Sequence, residues 1–196
     1  VIKPRGWQVK AFERFCESGK RPFLIDACPG AGKTKFSAIC AKHWLDQGRV
    51  DFVVVVVPTT ALKGTTDSGF LGSWNDVGVQ ITTVLKDGRG RPKDFAGGLV
   101  TYQQLGNIVS TFKAWADGGV RLMFVFDEVH HASEANTWGQ AVDACGQMAD
   151  KVLAMSGTPF RGDGRRISFV TYDANDQAVP DAKYSYLQAV ADNVCR

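Results

Sequence analysis

Apolar residues in this chain gather into short runs separated by longer stretches in which apolar and polar positions mix. The runs at 52–57 and 121–126 carry almost no polar alternation, the pattern of strands covered on both faces. Strands are predicted near 23–27, 52–57, 79–84, 98–101, 121–126 and 151–155, and helices near 7–18, 33–47, 103–117 and 137–148. Strand and helix alternate, which predicts an α/β domain with a mostly parallel sheet and helices on both faces. Beyond Phe160 this rhythm decays, and no internal repeat or low-complexity stretch is visible.

Two segments carry candidate chemistry. The first, Ala27-Cys-Pro-Gly-Ala-Gly-Lys-Thr34, follows an apolar strand and precedes a helix. Backbone N–H groups that curl around a phosphate need residues free to leave the usual backbone regions, which Gly30 and Gly32 supply. Pro29, Gly30, Ala31, Gly32, Lys33 and Thr34 are therefore candidate phosphate-binding positions. Lys33 offers a positive charge, Thr34 a hydroxyl for Mg²⁺, and the following helix a positive dipole end. The strict P-loop pattern opens on glycine, where this chain has Ala27. The second segment, Phe126-Asp-Glu-Val-His-His131, delivers two carboxylates to the carboxyl end of a buried strand, where ligands bind in parallel sheets. Asp127 is the candidate for the Mg²⁺ shell and Glu128 for orienting and deprotonating water. Together the segments read as an ATP-hydrolysing site, with Lys33, Asp127 and Glu128 as its catalytic residues.

Composition narrows the setting. The chain has 196 residues and 44% hydrophobic content, enough for one well-buried domain. Its formal net charge of +3 permits nucleic-acid binding without requiring it. Five cysteines show no metal-like CxxC spacing, and their odd count argues against a closed disulfide framework and predicts a reducing, cytoplasmic setting. No apolar run is long enough to cross a bilayer, so no membrane partner is expected. For His130 and His131 no third ligand at suitable spacing supports zinc. Two glycine-rich basic segments, Lys86–Lys93 and Arg161–Arg166, read either as solvated loops or as nucleic-acid contacts.

Four further segments fall in a telling order. Arg5-Gly-Trp-Gln8 precedes the P-loop, Val57-Pro-Thr-Thr-Ala-Leu62 and Val100-Thr-Tyr-Gln103 close two strands, and Ser156-Gly-Thr-Pro-Phe-Arg161 follows the acidic motif. This set resembles the N-terminal RecA-like domain of superfamily two helicases and translocases, in particular the DExH branch that includes phage, recombination and restriction motors. The resemblance covers nearly all of residues 4–161. It implies ATP and Mg²⁺ as cofactors, Gln8 at the adenine edge with Arg5 beside it, and Thr59, Thr101 and Gln103 on the sugar-phosphate backbone of one strand. It further implies that His130, Ser156 and Thr158 couple phosphate to domain movement. At Gln8 the plain alternative is the start of an amphipathic helix carrying Phe12 and Phe15. The chain departs from the family at Thr60, where a basic or bulky residue is usual, and in Gly64–Gly69.

The resemblance also implies a second RecA-like domain that supplies arginine fingers. Residues 1–165 are expected to form the first domain and 166–196 to begin the connection to the second; a finger in cis from Arg161, Arg165 or Arg166 lies outside the family pattern. The expected function is the ATP-binding motor domain of a DNA helicase or translocase, phage- or bacterium-encoded, with DNA favoured over RNA by analogy. Two alternatives stand beside it: another P-loop enzyme such as a kinase or packaging ATPase, and a module in which ATP only gates binding to nucleic acid or protein.

Overall fold

The computed structural model describes residues 4–19, 21–65, 67–130, 136–157 and 170–194. Helix α1 (Gly6–Glu17) leads into β1 (Phe23–Ala27), α2 (Lys33–Asp46) and β2 (Phe52–Val57). A 3₁₀ turn at Thr60–Lys63 and α3 (Gly69–Val77) come before β3 (Ile81–Thr82) and β4 (Gly97–Thr101). Then follow α4 (Tyr102–Asp117), β5 (Leu122–Phe126), α5 (Asn136–Met148), β6 (Lys151–Ser156), β7 (Ala182–Tyr184) and α6 (Tyr186–Ala191).

These strands form one sheet in the order β3-β4-β2-β5-β6-β1-β7, and every pairing is parallel. Its two faces explain the unbroken apolar runs. Along β2, Val53, Val55 and Val57 pack on the side of Phe36, Trp44 and Trp74. Phe52, Val54 and Val56 pack on the other side, against Tyr102, Phe112 and Phe124. A strand between two such layers has no solvent face for a polar residue to occupy.

The central elements match the predicted ones closely, and the differences lie at the periphery. Strand β3 pairs over two residues only, Ile81 with Gly97 and Thr82 with Gly98. Helix α3 forms where the sequence pattern predicts no element. Its Gly72 is required by packing, because a Cβ there would lie 2.5 Å from the Asp67 carbonyl carbon. Within the 166–196 segment, expected to begin a connection to a second domain, residues 182–184 add a strand to this sheet and α6 follows. Ala182, Lys183 and Tyr184 pair with Ile25, Asp26 and Ala27, and Ala189 of α6 is fully buried. At the opposite end of the sheet, the Lys151 ammonium is buried under Phe15 and donates to Ser18 Oγ and to the Gly19 and Arg21 carbonyls. Burial lowers its pKa to about 8. Among the described residues, no helix is long and apolar enough to cross a membrane.

Candidate nucleotide site

β1, β5 and β6 lie side by side in the sheet, so the P-loop, the acidic segment and Ser156-Gly157 emerge at adjacent carboxyl ends. Between β1 and α2 the loop turns through Gly30 (φ 75°) and Gly32 (φ 93°), both left-handed conformations that a side chain disfavours. Gly32 is the N-cap of α2, so the free N–H groups of the helix's first turn face the loop.

Residues upstream hold this loop from outside. Arg5 Nη1 donates to the Gly30 carbonyl (2.8 Å), Trp7 Nε1 to the Ala31 carbonyl (3.1 Å) and Gln8 Nε2 to the Gly32 carbonyl (3.0 Å). Gln8 Oε1 accepts from the Arg5 backbone N–H at 2.8 Å. Gln8 is buried and uses both ends of its amide on this clasp. From the other side the Cys28 N–H donates to the Tyr184 carbonyl (3.1 Å), and the Tyr184 ring stacks on Trp7, which also stacks on Phe36. Trp7 and Tyr184 escape sequence reasoning as site residues. Trp7 sits beside the glutamine that carries the motif, whereas nothing in the local sequence points Tyr184 toward a loop 150 residues upstream.

Lys33 reaches across the loop. Its buried ammonium donates to the Ala27 carbonyl (2.9 Å) and pairs with Glu128 Oε1 at 3.0 Å. The other Glu128 oxygen accepts from the Gly157 N–H at 3.1 Å. Burial alone would raise the Glu128 pKa, but the Lys33 charge, the Gly157 N–H and His130 outweigh it and hold the carboxyl below its ordinary value. Glu128 has φ 47°, a left-handed turn uncommon for a residue with a side chain, and it comes directly after buried Asp127. His130 Nδ1 lies 2.9 Å from Ser156 Oγ and 3.5 Å from Glu128 Oε2. Tyr102, another residue without a sequence signal, donates from its hydroxyl to the Asp127 carbonyl at 2.9 Å. The P-loop lysine, the acidic segment and β6 thus form one connected polar cluster.

The remaining site candidates divide. Thr34 is half-buried at the second position of α2. Thr59 and Gln103 are exposed beyond β2 and β4. Thr101 is buried and serves as the N-cap of α4, its hydroxyl accepting from the Gln104 N–H at 3.2 Å. Gln104 Oε1 in turn accepts from the Thr101 N–H and from the buried Lys63 ammonium at 2.7 Å, a basic contact that the Pro-Thr-x-x-Leu pattern alone did not single out. Thr158, His131, Arg161, Arg165 and Arg166 lie outside the described residues.

The sequence model of one family, "Type III restriction enzyme, res subunit", matches residues 1–161. The chain belongs to that family. The fold agrees with this res-subunit membership. The structure superposes on the type ISP restriction-modification enzyme LlaGI, solved with a DNA substrate mimic, with TM-score 0.65 and 19% identity over 98% of this chain and 21% of that one. The SWI2/SNF2 ATPase core of Sulfolobus solfataricus, solved with dsDNA, gives TM-score 0.61 and 18% identity over 81% of this chain and 32% of that one. The UvsW helicase of bacteriophage T4 gives 0.56 and 20% over 80% and 53%. The res-subunit domain thus has the RecA-like fold of these helicase and ATPase cores. Uncharacterized proteins of Mycobacterium leprae (strain TN) and Mycobacterium tuberculosis (strain H37Rv) are each 34% identical over 98% of this chain. The chain spans 32% of the length of these relatives.

Proposed function

We propose that this domain is the ATP-hydrolysing half of a DNA helicase or translocase. One observation carries the reading: the Lys33–Glu128 pair at 3.0 Å, with Glu128 held by the Gly157 N–H beside the His130–Ser156 contact. A P-loop cation and a carboxylate in contact are set to part around a γ-phosphate and its attacking water.

In this reading the triphosphate lies over the N–H groups of the P-loop and the start of α2. Lys33 leaves Glu128 for the phosphate oxygens, and the freed carboxylate accepts a proton from water as it attacks. Thr34 and Asp127 offer the hard oxygen donors that Mg²⁺ prefers; bound there, the ion would neutralise charge on the phosphates. Arg5 and Gln8 are the candidates beside the adenine, where Gln8 would add a bond to those that already fix it. His130, Ser156 and Thr158 would pass loss of phosphate on to a second domain, which the greater length of the relatives can accommodate. Thr59 and Gln103 would hold one strand by its backbone, with Thr101 and Lys63 shaping the turn beneath. DNA is favoured because the LlaGI and SWI2/SNF2 structures carry DNA or its mimic.

The test is a Mg²⁺-ATP titration followed by hydrolysis with and without single-stranded DNA. Lys33→Ala is expected to abolish binding, and Glu128→Gln to keep binding while removing turnover. Unchanged affinity in the lysine variant would overturn the phosphate site; residual hydrolysis in the glutamine variant would reassign the base.

A further inference from the structure

The crossover between β3 and β4 carries Lys86, Arg89, Arg91 and Lys93 within eight residues, with Asp87 as the one acid among them. It is not a loose solvated loop. Asp87 Oδ1 accepts from the hydroxyls of Thr111 (2.6 Å) and Ser110 (3.3 Å) on α4, and the Gly88 N–H donates to Thr111 Oγ1 at 2.8 Å. The Arg89 carbonyl accepts from Trp115 Nε1 (2.9 Å), and Arg91 Nη1 donates to the Asp51 carbonyl at 3.2 Å. Apart from Arg91, these anchors use the backbone or the acid. The cations of Lys86, Arg89 and Lys93 are left exposed, with no ion pair to a carboxylate among the described residues. Elsewhere Lys35, Lys42, Lys113 and Lys183 each lie within 3.4 Å of a carboxylate oxygen, while exposed Lys10 forms no such pair among the described residues.

A charged surface on an ordered backbone loses little conformational entropy when a partner neutralises it. Its position selects the partner. The crossover begins at Thr83 and Leu85, which share a depression with Val100 and Gln104, next to Thr101 and Gln103. From that depression the basic stretch runs down the flank of α4, past Thr111 and Trp115, toward the amino end of β2, so a partner that reaches it from the strand contact assigned above must span the length of α4.

We propose that Lys86, Arg89 and Lys93 form an auxiliary contact for the phosphate backbone of duplex nucleic acid flanking the gripped strand. This rests on the nucleic-acid motor reading and adds to it a surface outside the motifs that carried that reading. Backbone contacts of this kind position a duplex without reading its sequence.

The experiment measures the salt dependence of binding of the whole chain to two labelled DNA probes, a single strand and a duplex with a single-stranded overhang. The charge-neutralised variant is Lys86→Gln/Arg89→Gln/Lys93→Gln, and the control, Lys10→Gln/Lys42→Gln/Lys183→Gln, removes equal charge elsewhere. Each duplex phosphate neutralised contributes about 0.9 to the slope of log K against log salt, so the first variant should lower the duplex slope by about 2 to 3. The slope for the single strand and the affinity for ATP should stay as they were. An unchanged duplex slope, or an equal fall in the control, overturns the auxiliary contact while leaving the motor reading intact. Failure of the unsubstituted chain to bind either probe, with ATP binding intact, overturns the nucleic-acid reading itself. Capture of an acidic peptide in place of duplex would reassign the surface to a protein partner.

Discussion

Gly32 has φ 93°, and a Cβ built on it would lie 3.0 Å from Gln8 Nε2. Both facts bear on Gly32→Ala. A left-handed backbone costs a residue with a side chain about 1 to 2 kcal/mol, and here the added methyl also presses on the clasp that holds the loop. Urea unfolding should report a loss of that size, and ATP affinity should fall by roughly tenfold, since about 1.4 kcal/mol of loop distortion is a factor of ten in binding. Unaltered affinity would show that the clasp does not shape the phosphate loop. Legibility at this scale follows contiguity. Gly30, Gly32, Lys33, Asp127 and Glu128 were readable because their chemistry lies within a few neighbouring residues. Tyr184 and Lys63 were not, since Tyr184 meets Cys28 and Lys63 meets Gln104 only after the chain has folded. Gln8 was readable as part of a motif, but its bond to the Gly32 carbonyl was not.

Arg121, at the entry to β5, donates from Nε to Asp51 Oδ2 (2.9 Å) and from Nη2 to Asp51 Oδ1 (2.6 Å), and its Nη1 also meets the Gly48 carbonyl. This fastens the amino ends of β2 and β5. Hydrogen bonds from Arg121 lower the Asp51 pKa from 3.8 to about 2. A carboxyl whose folded pKa is depressed contributes stability above its unfolded value and loses it as pH falls through the folded one. The difference in unfolding free energy between the native chain and Arg121→Met should therefore be constant above about pH 5 and shrink toward pH 2. A difference that does not change with pH would assign the effect to lost packing instead. The central strands of this sheet were legible because burial on both faces writes an unbroken apolar run. The edges were not. The strand expected near 79–84 shrinks to two residue pairs in β3, β7 with three pairs is too short to leave a periodic signal, and α3 contains glycines that its close packing demands.

At the largest scale the described residues form one parallel sheet between two apolar layers, with the candidate nucleotide chemistry gathered at a single end. In the proposed function such a domain would bind a nucleotide on one surface and leave the opposite side of the phosphates uncovered, which is where a second domain would act. Extending the chain to the length of its relatives should therefore raise the rate of ATP hydrolysis far more than ATP affinity. An arginine finger is worth about 10³ to 10⁵ in rate, and multiple-turnover assays on the short and extended chains would resolve it. Equal rates would mean that no group essential to turnover lies beyond the present chain. The placement of β7 carries a mechanical consequence. β7 runs parallel to β1 and continues into α6 at the end of the sheet that holds the loop, with the Tyr184 carbonyl bonded to the Cys28 N–H. Tension applied through α6 would load the β7–β1 hydrogen bonds in shear, all at once, and reach the phosphate loop within one residue.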